Sequence, residues 1–133
     1  MPPDNQIYNV IISIEVLQYV SNKDAFYDKV NKLLSDNGIF IFTEVNKISW
    51  RTILHNIKKS RDFYRYQKST ELLSILRKRF KIIDIYGFMW QPCGLLSDSV
   101  MIDFFKYIEK IVLNKFFIQS PWWLIACRKK REY

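Results

Sequence analysis

Three polar side chains stand where ligand chemistry could be done. Glu15 follows the apolar run of residues 7–14, and Glu44 and Asn46 close the apolar run of residues 39–43. Open α/β sheets bind ligands in the crevice outside the carboxyl ends of their strands, so these three are candidates for ligand contact. Each also has a structural reading: Glu15 as the cap of a following helical turn, Glu44 and Asn46 as a polar turn before the next helix. Other chemistries find less support. The single histidine, His55, sits among Ile53, Leu54 and Ile57 at helical spacing, a structural position. Cys93, in Gln-Pro-Cys-Gly, is a loop thiol, and a nucleophilic thiol needs a base beside it. Cys93 and Cys127 lie 34 residues apart, form no C-x-x-C pair, and with one histidine make no zinc set. Reduced thiols in a cytoplasmic protein are the expectation.

Elements must position those side chains. Residues 7–14, Ile-Tyr-Asn-Val-Ile-Ile-Ser-Ile, are short, β-branched and nearly continuous in apolar character, as in a strand of a parallel sheet buried on both faces. Residues 22–36 place Phe26, Val30, Leu33 and Leu34 on one helical face, and Asn37-Gly38 reads as the helix stop. Residues 39–43 form a second strand, making a strand–helix–strand unit whose default is a right-handed parallel crossover. The spacing of Trp50, Ile53, Leu54 and Ile57 predicts a helix over 48–60. Ser69-Thr70-Glu71 opens another, with Leu72, Leu73, Leu76 and Phe80 inward. Residues 81–86 read as a third strand, 87–94 as a loop and 99–118 as a long helix. Residues 122–127 read as a fourth strand and Arg128 to Arg131 as a solvated tail.

Composition bounds the rest. The 133 residues are 49% hydrophobic and 26% charged, with 3 Gly and 4 Pro, which excludes a disordered, collagen-like or low-complexity chain. One domain is expected at this length, with 10 Phe, 8 Tyr and 4 Trp to fill its core. No signal peptide or 18-residue apolar span is read. The net charge of +8 is concentrated: residues 47–81 hold 11 basic and 2 acidic residues, whereas 1–46 hold 3 basic and 6 acidic. With Trp50, Phe63, Tyr64 and Tyr66 interleaved, the middle segment could bind single-stranded nucleic acid, but a solvated helix face is the favoured reading. The 99–118 helix is expected to pack on the sheet rather than lie on a membrane surface.

Four stretches together resemble class I S-adenosylmethionine-dependent methyltransferases. The opening M-P-P-D-N-Q-I-Y-N-V-I-I-S-I-E-V-L-Q-Y-V looks like that family's fourth-strand motif, and K-L-L-S-D-N-G-I-F-I-F-T-E-V-N looks like its fifth-strand approach. The segment Y-R-Y-Q-K-S-T-E-L-L-S-I-L-R-K-R-F-K-I-I-D-I-Y-G-F is similar to the sixth, and S-P-W-W-L-I-A-C-R-K-K to the final strand. The resemblance implies an α/β fold: part of a Rossmann-like sheet carrying strands four to seven, the last inserted antiparallel. It implies S-adenosylmethionine as cofactor, bordered by Ile14 and Glu15. It implies a small-molecule or lipid- or sugar-linked substrate met by Glu44, Asn46 and Trp50, with the basic middle region capping the site over a negatively charged substrate.

The departures bear on what residues 1–133 do alone. The family grips its cofactor with a Gly-rich turn and an acidic residue on its first two strands, and no G-x-G occurs here. The chain therefore reads as one incomplete methyltransferase-like domain without its N-terminal cofactor-binding half. It would be inactive alone, and its strand 7–14 would be open to self-association or to a complementary N-terminal half. A quinone-biosynthesis branch of the family carries a metal-binding E-x-x-E-H. Glu15, Gln18 and Tyr19 occupy those places here, and an amide and a phenol are poor ligands for a hard cation, so no metal is assigned. Methyl transfer relies mostly on positioning, and no catalytic base is named. Rival readings are a non-enzymatic half-domain acting through a partner and a basic nucleic-acid-binding module.

Overall fold

The computed structural model describes residues 6–49, 52–53, 66–88, 103–104, 107–108, 111 and 119–130. Among them lie β1 (Tyr8–Ser13), a single 3-10 turn (Leu17–Tyr19), α1 (Lys23–Leu33), β2 (Leu34–Val45), α2 (Ser69–Arg79), β3 (Phe80–Phe88) and β4 (Trp122–Lys129). The four strands form one sheet in the order β1-β2-β4-β3. β1 runs parallel to β2, with Ile11 beside Phe40 and Ser13 beside Phe42. β4 is antiparallel to both neighbours, pairing Phe42 with Ile125 on one side and Ile85 with Ile125 on the other. The expected antiparallel insertion of the last strand is therefore observed.

Local chemistry sets the boundaries. Asn22 caps α1, its side-chain oxygen accepting from the Ala25 N–H at 3.0 Å. α1 stops at Leu33, short of the expected Asn37-Gly38 stop, because Leu34 is already extended (φ −80°, ψ 138°). Leu34 fits the helical stripe and the strand equally well in the sequence; pairing with Tyr8 across the sheet decides for the strand. Between Leu34 and Ile39 the register against β1 jumps, and Gly38 lies within that irregular stretch of β2. A Cβ on Gly38 would lie 2.9 Å from Leu34 Cδ2 and 3.0 Å from the Ser35 carbonyl oxygen, so only glycine fits this approach. α2 begins at Ser69 as expected, with Glu71 accepting from the Lys68 N–H. Its last turn carries Arg77, Lys78 and Arg79, favourable against the helix dipole.

The core lies on one face of the sheet, under α1 and α2. Phe40 and Phe42 stack with centroids 4.6 Å apart, and Tyr27 meets Phe40 edge-on at 6.4 Å. Leu72 and Leu76 of α2 and Phe80 at the start of β3 close the cluster. The inward face of α1 is centred on Lys23, Tyr27 and Val30, so Phe26, expected inside, is only half-buried. Arg128 and Lys129, expected in a solvated tail, continue β4, and Lys129 Nζ donates to the Leu34 carbonyl at 2.9 Å. Most of the helix expected over 48–60, including Trp50 and His55, falls outside the described residues, as do Phe63, Tyr64, Cys93 and most of 99–118. Thr52, Ile53, Asp103, Phe104, Tyr107, Ile108 and Ile111 are helical.

Candidate active-site rim at the carboxyl ends of β1 and β2

β1 and β2 are parallel neighbours, so their carboxyl ends open on the same side of the sheet, and the residues after them form one rim. Glu15 adopts a left-handed backbone (φ 56°), the one positive φ of a non-glycine residue among the described residues. Such a conformation costs about 1 kcal/mol or more for a residue with a Cβ. It is held from β2: the Glu15 N–H donates to Thr43 Oγ1 at 2.8 Å. The following 3-10 turn is capped at Val16 with no side-chain bond. Glu15 therefore does not act as the helix cap, and its side chain is exposed at the rim. Ile14 is half-exposed beside it and lines an open apolar groove of about 470 Å³ with Val10, Ile12, Phe26 and Lys29.

Glu44 is 1% exposed. Its Oε2 receives Lys23 Nζ at 2.8 Å, and its Oε1 accepts the Val45 N–H at 3.2 Å. Burial pushes the Glu44 carboxyl above the usual carboxylate range, with the Lys23 ammonium opposing it. Burial likewise lowers the Lys23 ammonium, with Glu44 opposing. The pair ties the first turn of α1 to the end of β2. Tyr27 lies beneath it, and burial and the Glu44 charge hold its phenol well above the ordinary value. The Tyr27 hydroxyl is buried without a hydrogen-bond partner. Unpaired buried hydroxyls cost about 1–3 kcal/mol. Tyr27→Phe should therefore leave stability unchanged or raise it by about 1 kcal/mol, read as the urea midpoint; a loss above about 1 kcal/mol would reveal a partner for that hydroxyl.

Asn46 is also fully buried. Its side chain donates to the Ser120 carbonyl at 3.0 Å and accepts from the Ile48 N–H at 3.2 Å. Its N–H reaches the Pro121 carbonyl at 2.9 Å, and Thr52 Oγ1 donates to its carbonyl at 2.7 Å. Asn46 thus fastens the turn after β2 to the approach to β4. The structure brings Glu15, Glu44 and Asn46 to one end of the sheet, but only Glu15 offers its side chain to solvent; Glu44 and Asn46 give their polar atoms to internal partners. Sequence reasoning missed Lys23, Thr43 and Tyr27. Lys23 and Tyr27 share a helical face at i, i+4, which a lysine masks in an apolar pattern. The buried thiol of Cys127 is pushed up to about 12 by desolvation, which makes it inert. No group of three or more His, Cys, Asp or Glu able to hold a metal occurs among the described residues. No helix among them is long and apolar enough to cross a membrane.

Comparisons with known proteins agree with this architecture. Residues 1–99 match the family model of the methyltransferase domain. The chain is 24% identical over 120 residues to the ubiquinone biosynthesis O-methyltransferase of Rickettsia canadensis, covering 80% of this chain and 51% of that protein. The namesake of Rickettsia conorii matches at the same identity over 42% of its length. The chain thus spans about half the length of the curated relatives it matches. Among solved structures, a SAM-dependent methyltransferase from Thermotoga maritima, a possible histamine N-methyltransferase, superposes with a TM-score of 0.71 at 15% identity, over 98% of this chain and 59% of the other. The N-methyltransferase NodS of Bradyrhizobium japonicum, bound to S-adenosyl-L-homocysteine, gives 0.56 at 12% identity, over 96% of this chain and 48% of the other. A strand order of β1-β2-β4-β3 with β4 antiparallel, and a family match over residues 1–99, lead to one conclusion: this chain belongs to the methyltransferase domain family.

Proposed function

We propose that residues 1–133 form the substrate-side half of an S-adenosylmethionine-dependent methyltransferase domain. The reaction proposed is O-methyl transfer to a small hydroxylated molecule, of the kind handled by the ubiquinone biosynthesis O-methyltransferases to which the chain is similar. The observation that carries this reading is the rim itself: an exposed Glu15 in a strained, braced backbone beside exposed Ile14, at the carboxyl end of a parallel strand. These residues fit the border of the cofactor, Ile14 against an apolar part and Glu15 toward hydroxyl donors. They do not make its grip, since the chain has no G-x-G turn. The bound cofactor supplies a methyl group already activated by the sulfonium charge, so the protein's task is positioning.

In this reading Glu44 and Asn46 support the substrate wall from behind, through Lys23 and through the 120–121 segment. Trp50, named as a substrate contact from the sequence, lies outside the described residues, and its contact is part of this proposal. The half of the relatives that has no counterpart here supplies the cofactor grip and meets this chain along the open edge of β1.

The test is a chimera in which that unmatched half of the Rickettsia canadensis relative precedes residue 1. Incubated with S-adenosylmethionine and a hydroxylated quinone precursor, it should yield a methylated product by mass spectrometry. Glu15→Ala should reduce the rate at least tenfold while leaving the melting temperature within a few degrees. A folded chimera whose rate is indifferent to Glu15 would overturn the assigned role.

A further inference from the structure

Residues 15–23 join the end of β1 to the start of α1, and consecutive residues of β2 hold the two ends of this segment. Successive side chains of a strand alternate faces. Thr43 Oγ1 accepts the Glu15 N–H at 2.8 Å, whereas Glu44 Oε2 receives Lys23 Nζ at 2.8 Å. Between the two anchors Leu17 is fully buried and pins the 3-10 turn. The paired ladder of β1 and β2 ends at Ser13 and Phe42, so the Thr43 hydroxyl is an acceptor placed just beyond the last backbone pair. At that point Glu15 takes its left-handed turn (φ 56°). A residue with a Cβ disfavours that conformation, which persists only where its surroundings over-determine it. Thr43 is 5% exposed, so the bracing hydroxyl belongs to the packed sheet.

We infer, on the reading of Glu15 as the border of the cofactor, that Thr43 is a positioning residue for cofactor binding: its hydroxyl holds the Glu15 backbone left-handed and so fixes the direction in which the Glu15 carboxylate leaves the rim. Rotation about the Glu15 N–Cα bond swings the Cβ and the carboxylate together, so one hydrogen bond on the Glu15 N–H sets where the carboxylate goes. Without the hydroxyl, that part-buried N–H loses its acceptor, and the backbone returns to the negative φ that a residue with a Cβ prefers. The carboxylate then leaves the place from which it accepts ligand hydroxyls, and its ordering must be supplied at the moment of binding. The second anchor confines the effect. The Lys23–Glu44 pair and Leu17 still clamp residues 15–23, so loss of the Thr43 hydroxyl frees the rim and leaves the fold in place.

Amide hydrogen exchange of the 133-residue chain reads the brace directly. Thr43→Val should speed exchange of the Glu15 amide by about tenfold or more while the Phe40 and Phe42 amides stay protected, and Thr43→Ser, which keeps the hydroxyl, should match the unmodified chain. A Glu15 amide that exchanges no faster in Thr43→Val would overturn the inference. Titration of S-adenosylmethionine into the chimera described above reads the consequence. Thr43→Val should weaken binding about three- to tenfold, Thr43→Ser should retain it, and on a Glu15→Ala background Thr43→Val should cost nothing further. Binding by Thr43→Ser as weak as by Thr43→Val would show that the hydroxyl is not the cause. A full additional loss on the Glu15→Ala background would show that Thr43 acts without Glu15, and either result overturns the inference. The two readings fail separately. Binding weakened by Glu15→Ala but indifferent to Thr43→Val defeats the positioning role alone, whereas binding indifferent to Glu15→Ala defeats the border reading and the positioning role with it.

Discussion

Lys23→Met should destabilise the fold by about 3–5 kcal/mol, a melting-temperature loss on the order of 10–20 °C. The substitution keeps the packing of the lysine stem but leaves the Glu44 carboxylate buried, 1% exposed, with only the Val45 N–H to stabilise it. Breaking a buried pair by removing one partner is costly for this reason. The double variant Lys23→Met with Glu44→Leu should recover most of the loss, because burial outweighs the mutual attraction for both groups. Thermal melts of the two singles and the double settle the point; a double variant as unstable as the lysine single would contradict it. The pH dependence carries a definite sign. Burial raises the folded-state pKa of Glu44 above the ordinary carboxyl value of 4.5. Its contribution is fully present below that value and is lost as pH rises through the raised folded pKa. Wild-type stability should therefore gain from this group as pH falls toward 4.5, and Glu44→Gln should remove that gain. Asp28, whose pKa is lowered by the Arg79 hydrogen bond, acts in the opposite sense at lower pH, which separates the two windows.

Phe40→Ala should cost a similar 3–5 kcal/mol. Phe40 is fully buried on β2 and touches four rings: Phe26 at 6.3 Å, Tyr27 at 6.4 Å, Phe42 at 4.6 Å and Phe80 at 5.9 Å. Those rings come from α1 (Phe26, Tyr27), β2 (Phe42) and β3 (Phe80), so the cavity cannot close by moving one element. For comparison, Ile83→Ala, at a half-exposed site on β3, should shift stability by no more than about 0.5 kcal/mol. Urea denaturation of both variants makes the comparison, and equal losses would show that the core does not sit where the aromatic cluster places it.

The sequence revealed the elements better than their ends and better than the site. The strands were legible because residues 7–14 and 39–43 are nearly continuously apolar, and α2 because Ser69 and Glu71 sit at its start. The end of α1 was not legible. Leu34 satisfies two periodicities, and Gly38, read as a helix stop, is needed for a close backbone approach inside β2. The positions of Glu15, Glu44 and Asn46 at one end of the sheet were legible from strand polarity. What those side chains do was not, because it depends on partners distant in sequence. Lys23 lies 21 residues from Glu44, Thr43 lies 28 from Glu15, and Ser120 lies 74 from Asn46. A lysine on the buried face of a helix carries no local signal until its carboxylate is placed beneath it.

The surface charge has a plainer account. Arg77, Lys78 and Lys81 are exposed, while Arg79 pairs with Asp24 at 3.0 Å and with Asp28 at 2.5 Å. Exposed pairs of this kind add little to stability, because solvent screens them. This is the solvated helix face expected from the sequence, at the described part of the basic segment.

Calorimetric titration of S-adenosylmethionine into the isolated chain and into the chimera, side by side, tests the central claim most directly. The account predicts micromolar binding by the folded chimera, weakened at least tenfold by Glu15→Ala, and binding at least 100-fold weaker by residues 1–133 alone, which lack the glycine-rich grip. A folded chimera that binds no cofactor, or micromolar binding by the isolated chain, would contradict it.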